Sequence, residues 1–310
     1  MPTNISYLDE TWNCIAGCEH AGAGCQNCYA EQWSYRLARM GQDDYKGLHD
    51  TVWQDGACIG HRWSGKVRCL PHRLDIPRHW KRPRVIGVNF MADTFHETVP
   101  DKFLEAMIRI VRECPQHRFL VLSKRSKRMF DFWRYRWLGK SSLVPNLALG
   151  VSCSTQDDMR RLVPDLLATP AACRMLSLEP LLGPVWPTSI PLVPGYGPGW
   201  ANPMQDVHPR LRQHGKNWRG IDGIIIGCES GPRRRPMRHE WARDVIAQAQ
   251  RYAIPVYLKQ APEHPDGTGK VVTDSAEIAR VFYVCPRELP PFFDLPERGE
   301  TPNEKPQNRQ

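Results

Sequence analysis

The chain has 310 residues, of which 41% are hydrophobic and 24% charged. This is an ordinary globular composition that excludes a disordered chain and leaves room for a sizeable core. A formal charge of +9 favours polyanionic partners and says nothing about fold. The start, MPTNISYLDETWN, has no basic or apolar leader, and no run approaches the about 20 apolar residues of a bilayer span. The expected location is therefore cytoplasmic, with no membrane partner. Eleven cysteines in that compartment read as metal ligands or redox groups rather than disulfides.

In chain order, a short strand is predicted near Ile5–Leu8. Next comes TWNCIAGCEHAGAGCQNCYAEQWSYRLARM, where six residues separate Cys18 from Cys25 and two separate Cys25 from Cys28. Its small residues (Gly17, Ala21, Gly22, Ala23, Gly24) permit a tight loop. Tyr29–Met40 is predicted as a helix with Trp33, Leu37 and Met40 toward a core. Residues 41–80 read as irregular and contain Trp53, Trp63 and Trp80. Two C-x-x-H pairs lie there, Cys58/His61 and Cys69/His72, which fit either a zinc site or buried packing.

Apolar runs then alternate with helical patterns: Val85–Phe90, Phe119–Leu122, Leu147–Ser152, Arg174–Leu178, Gly223–Ile226 and Ile254–Leu258. Asp101–Cys114, after Pro100, and Glu240–Tyr252 have the spacing of amphipathic helices. Pro184–Trp218, rich in Pro, Gly and Trp, reads as an insertion or lid. The polar tail after Asp294 reads as loose. The β-then-α rhythm predicts an α/β fold with parallel strands, a full or partial (β/α) TIM-like barrel or a doubly wound layer. The barrel assignment takes 1–293 as one domain with insertions at about 41–80 and 184–218, followed by a 294–310 tail. Each run ends in a polar group: Asp93, Lys124, Ser152, Glu179, Glu229 and Lys259. In a barrel such ends share the C-terminal rim, where chemistry is placed.

By spacing alone, Cys18, Cys25 and Cys28 fit an iron–sulfur cluster with one iron open, a zinc ion with Cys14 as fourth ligand, or no metal. Cys14 fits a buried structural thiol equally well. Basic groups such as Lys124-Arg125-Ser126-Lys127-Arg128 and Arg233-Arg234-Arg235 fit either solvated faces or phosphate contacts.

The run CxxxxxxCxxCY followed by a helix resembles the cluster loop of the radical S-adenosylmethionine superfamily, whose usual loop has about three residues between the first two cysteines. Ordered stretches from about residue 7 to 260 also resemble a bacterial and phage three-cysteine family without an assigned function. They include TWNCIAGC, GCQNCYAE, HRLDIPRHWKRPR, VNFMADTFHETVP, LVLSKRSKRM, LALGVSCSTQDD, RMLSLEPLLGP, IIIGCESGPRRRPM and VYLKQ. That family usually has other residues where Cys14 stands and glycine where Cys228 stands.

The resemblance implies a cluster loop at the C-terminal rim, with a [4Fe-4S] cluster on Cys18, Cys25 and Cys28 and S-adenosyl-L-methionine on the open iron. An electron donor would then produce a 5′-deoxyadenosyl radical. It implies cofactor contacts from Tyr29, Asp93, Lys124, Ser152, Glu179, Glu229 and Ser230. Catalytic roles would fall to Glu179, Glu229, Lys124 and Cys228, the last as a hydrogen donor. Substrate contacts would come from Arg125, Arg128, His96 and Lys259. The expected substrate is a modified base in DNA or a nucleotide, acted on by an isomerase or lyase that a phage can encode. The competing expectations are a radical nucleic-acid repair or processing enzyme and a non-catalytic zinc-bearing nucleic-acid-binding protein.

Overall fold

Strands buried on both faces need continuous apolar runs, and those runs are where the sheet forms. The structure, a computed structural model, describes residues 3–136, 143–188, 190–191, 200–201, 204, 220–282 and 286–295. In chain order its main strands are β1 (Glu10–Trp12), a hairpin of β2 (His49–Gln54) and β3 (Ala57–Trp63), β4 (Val85–Val88), β5 (Arg118–Ser123), β6 (Leu147–Ser152), β7 (Cys173–Leu178), β8 (Gly223–Gly227), β9 (Val256–Pro262) and β10 (Val271–Val272). Among the described residues, eight of these form one sheet in the order β1-β4-β5-β6-β7-β8-β9-β10. Neighbours from β1 to β9 are parallel, and β10 is antiparallel. The helices flanking it are α1 (Tyr29–Arg39), α2 (Asp101–Glu113), α3 (Ser126–Arg136), α4 (Gln156–Ala168), α5 (His239–Arg251) and α6 (Ser275–Phe282). This is the architecture of a partial (β/α) TIM-like barrel.

The period of two along each strand divides the core. Ile86 and Val88 of β4, Phe119 and Val121 of β5, and Leu176 and Leu178 of β7 pack outward. They meet Leu104, Met107, Ile108 and Val111, the apolar stripe of α2. Val85, Leu120, Ala148, Met175, Ile225 and Tyr257 point inward, where Tyr7, Leu8 and Phe293 join them. The inner cluster therefore closes the N-terminal end of the strands, and polar groups occupy the other end.

Several expectations are corrected. Ile5–Leu8 is not a strand: Tyr7 and Leu8 turn into the inner core, and Asp9 fixes the turn by accepting the Val85 N–H at 2.7 Å. Trp33 on α1 and Met40 just past its end are exposed. The buried face is Ala30, Glu31, Ser34 and Leu37, because Glu31 enters the interior to accept the Trp63 N–H at 2.6 Å. Within 41–80 the β2–β3 hairpin turns at Asp55-Gly56, both at positive φ. An Asp-Gly pair favours that turn. The two C-x-x-H pairs do not converge: Cys58 is exposed, His61 stacks on Tyr35 at 3.7 Å, Cys69 pairs with Ile15 on a two-stranded bridge, and His72 meets Asp44 at 3.2 Å.

α4 has no counterpart among the sequence expectations because Pro164 lies inside it, where proline costs a backbone hydrogen bond. Its start is secured by Thr155, whose hydroxyl accepts the Asp158 N–H at 3.2 Å. Most of Pro184–Trp218, and the tail from 296 onward, lies outside the described residues. Among the described residues no helix is long and apolar enough to cross a membrane.

Two histidines make folding pH-dependent. His117 and His239 are fully buried, and each ring sits against a backbone carbonyl, that of Pro77 at 3.2 Å and that of Pro262 at 2.7 Å. Burial holds both below the ordinary value of 6.5. The unfolded chain therefore binds protons first as pH falls, and the stability these rings contribute is present above about 6.5 and lost below it. Urea unfolding should give a smaller free energy at about pH 5.5 than at about pH 7.5. An equal or larger value at the lower pH would contradict neutral burial of these rings.

Candidate functional site

Backbone amides and carbonyls leave the parallel sheet together at its C-terminal edge, so the residues just past each strand meet there. They enclose a cavity of about 200 Å³. Asp93, Lys124, Ser152, Glu179, Glu229 and Lys259 all line it. So do Cys18, Cys25, Cys28 and Tyr29 from the loop and helix above it, and Cys228 and Ser230 from the end of β8.

Asp93 organises the β4 side and is nearly buried. Its Oδ1 accepts from the Ser123 hydroxyl at 2.7 Å and the Phe95 N–H at 3.0 Å. Its Oδ2 accepts from the Lys124 N–H at 2.9 Å and the Arg125 guanidinium at 3.3 Å. Arg125 also donates to Glu97 at 2.7 Å and to Glu19 at 3.4 Å. Burial pushes its pKa down, but the charge of Asp93 and these partners outweigh it, so it stays a fixed cation. Arg125 is thus committed to protein carboxylates. Arg128 is not at the cavity: it pairs with Asp101 and donates to the Val99 carbonyl at the start of α2. His96 is buried behind the wall, with Nδ1 2.9 Å from the Thr98 hydroxyl. Of the three residues expected to contact substrate, Arg125 lines the cavity, whereas Arg128 and His96 are not among its lining residues.

Across the cavity, Glu179 receives the Lys259 ammonium at 3.0 Å and the Tyr7 hydroxyl at 3.2 Å. Gly227 makes this approach possible, since a Cβ there would stand 2.8 Å from the Glu179 carboxylate. Glu229 has a different setting. It accepts from Asn27 Nδ2 at 2.9 Å, from the Arg235 N–H at 2.7 Å and from the Arg235 guanidinium. Burial raises its carboxyl, but the hydrogen bonds from Arg235 and Asn27 win and hold it below the ordinary range. Arg235 continues to the Ala23 carbonyl at 2.9 Å and to Gln26 at 3.1 Å. Glu229 and Arg235 therefore clamp the cysteine loop over the cavity. Tyr29 Oη donates to the Phe90 carbonyl at 2.7 Å and ties α1 to the end of β4.

The thiols are half-buried at the mouth. Burial, then the Asp93 charge, pushes Cys18 up to about 12, and burial raises Cys28 as well. Cys18 donates its S–H to the Glu19 carbonyl at 3.4 Å. Cys14 is a core thiol outside the cavity: it is fully buried and held against the Asn89 carboxamide at 3.5 Å. Cys228 lines the cavity, and burial raises it to about 12. Both are neutral at neutral pH.

Sequence patterns do not reveal one further group. Glu19, His96 and Glu97 bring their ligand atoms within 4.8 Å of one another, and among the described residues no other group of three His, Cys, Asp or Glu side chains does so. Glu19 stands beside Cys18 in the chain, and nothing local links it to positions 96 and 97.

Comparison with known sequences finds one family. The profile described as "Protein of unknown function (DUF5131)" matches residues 2–281. No curated protein and no solved structure matches. These findings correct the radical S-adenosylmethionine expectation. The matching family carries no such assignment, and the convergent ligand group is Glu/His/Glu without a cysteine. The [4Fe-4S] cluster, S-adenosyl-L-methionine, the 5′-deoxyadenosyl radical, its electron donor and the isomerase or lyase activity on DNA fall with it. Among the described residues the three loop sulfurs do not all lie within 4.8 Å of one another, the spread of a single-ion ligand set, whereas the ligand atoms of Glu19, His96 and Glu97 do.

Proposed function

Starting from a chain that belongs to DUF5131, a family of unknown function, we propose that the rim cavity binds a nucleotide, free or as an exposed unit of a nucleic acid. The observation that carries this reading is Lys124. Of the lysines and arginines that line the cavity, Arg125 is held by Asp93 and Glu97, and Lys259 by Glu179. Lys124 alone has no carboxylate within salt-bridge distance among the described residues. A half-buried ammonium without a counterion is an anion site. Glu179 offers acceptors to hydroxyl or amino groups on the opposite wall. Tyr29, Phe90 and Trp63 supply flat apolar surface for a ring. An anionic group, hydroxyls and an aromatic ring together describe a nucleotide. The net charge of +9 supports a polyanion at the mouth. In this reading Cys18, Cys25 and Cys28 pack against the bound ligand.

Trp63 lines the cavity, so tryptophan fluorescence of the full chain reports binding. In the presence of a metal chelator, a mononucleotide should bind, and the same nucleoside without phosphate should bind at least about tenfold more weakly. Lys124→Ala should weaken nucleotide binding by about ten- to a hundredfold, as loss of a charged hydrogen bond does. Bound nucleotide should also slow alkylation of Cys25. A single-stranded oligonucleotide binding more tightly than the mononucleotide identifies nucleic acid as the source. The reading fails if none of the three ligands binds, or if Lys124→Ala binds them as the parent does.

A further inference from the structure

A buried imidazole nitrogen with no hydrogen-bond partner needs an explanation. His96 Nε2 is such an atom: its residue is 2% exposed, and no donor or acceptor reaches that nitrogen. It points at Glu19, whose carboxylate oxygen is 3.7 Å away, too far for a hydrogen bond. Glu97 completes the group, with its ligand atom inside the same 4.8 Å span. Three carboxylates, Glu19, Glu97 and Asp93, surround the single guanidinium of Arg125. Arg125 therefore leaves negative charge unbalanced at this place.

We propose that Glu19, His96 and Glu97 form a binding site for a divalent first-row transition ion of the zinc or manganese type. One imidazole and two carboxylates suit such ions better than thiol-seeking ones. His96 is the fixed member, because packing holds its ring. Its Nδ1 lies 2.9 Å from the Thr98 hydroxyl, so Nδ1–H donating there leaves Nε2 free as the metal donor. The longer contact from the Thr98 N–H, at 3.3 Å, is given up in that tautomer. Glu19 and Glu97 are exposed and can swing the short distance needed to bring oxygens to about 2.0–2.2 Å from an ion. Three protein ligands leave positions for water. Glu19 and Arg125 also form part of the cavity wall, so the ion stands beside the proposed nucleotide site without being part of it.

The test uses the full chain stripped with a chelator, then titrated with Mn²⁺ in the absence of nucleotide and followed by the EPR signal of free Mn²⁺. Thiolates hold Mn²⁺ poorly, so this probe separates the group from the cysteines. About one ion per chain is expected, with Glu97→Gln and Glu19→Gln each weakening binding by about tenfold or more. His96→Gln should abolish it, and circular dichroism shows whether that variant is folded. If it is not, the two exposed glutamates decide. No Mn²⁺ uptake by the parent chain, or equal uptake by both glutamine variants, overturns the site. The nucleotide assay runs with chelator and this one without nucleotide, so each result stands independently of the other.

Discussion

Asp93→Ala is expected to lower the unfolding free energy by about 3–5 kcal/mol, the usual result of removing one partner from a buried charge pair. Asp93 accepts four hydrogen bonds, from Phe95 N–H, Ser123 Oγ, Lys124 N–H and Arg125. Alanine accepts none of them. Two backbone N–H groups then lose their acceptor, and Arg125, almost wholly buried, loses its innermost counterion. Glu97 and Glu19 still hold Arg125, but both are exposed and more strongly screened by solvent. Asp93→Asn keeps the volume and part of the acceptor capacity, so its loss should be about 1.5–3 kcal/mol, the worth of hydrogen bonds to a charged group. Equilibrium urea unfolding measures both. A difference below about 1 kcal/mol for the alanine variant would show that this network does not hold the ends of β4 and β5 together.

The second large effect belongs to Gly17→Ala. Gly17 has φ of +88°, and a Cβ there would lie 2.1 Å from the Lys66 carbonyl oxygen. The left-handed conformation costs an alanine about 1–2 kcal/mol. The overlap is with backbone, which cannot rotate away as a flexible side chain does, and overpacking of this kind adds about 1–3 kcal/mol. A total loss of about 2–5 kcal/mol is expected in the same unfolding assay. Gly17 also bridges to Ala92 next to Asp93. Displacement there moves Cys18 and Glu19, so alkylation of Cys18 should become faster. If Gly17→Ala keeps both parent stability and parent thiol reactivity, close approach at Gly17 is not what positions the loop.

The two substitutions mark different kinds of information. The central strands are legible in the sequence because burial on both faces leaves an uninterrupted apolar run, and Leu147–Ser152 is the same in expectation and structure. α2 is legible because its stripe recurs every three or four residues. The rule that strand ends gather at one edge then places Asp93, Lys124, Ser152, Glu179, Glu229 and Lys259 around one cavity. The cysteine spacing misleads. Regular intervals between thiols say how a loop can fold, and not whether its sulfurs meet.

The pairings are not written locally at all. Glu229 and Asn27 are 202 positions apart, and Arg125 and Glu19 are 106 apart. From sequence, Arg125 and Lys124 are adjacent and equivalent cations. In the fold one is buried among three carboxylates, and the other faces the cavity with no carboxylate within salt-bridge distance among the described residues. The sequence by itself determined the central strands β4 to β9, the helices α2 and α5, the parallel class of the sheet and the surplus of positive charge, since these depend on neighbours along the chain. Tertiary structure alone decided which charges are spent on one another and that Glu19 meets His96 and Glu97. Coulomb energy and desolvation depend on distance and burial in space, and the chain encodes those only once it has folded.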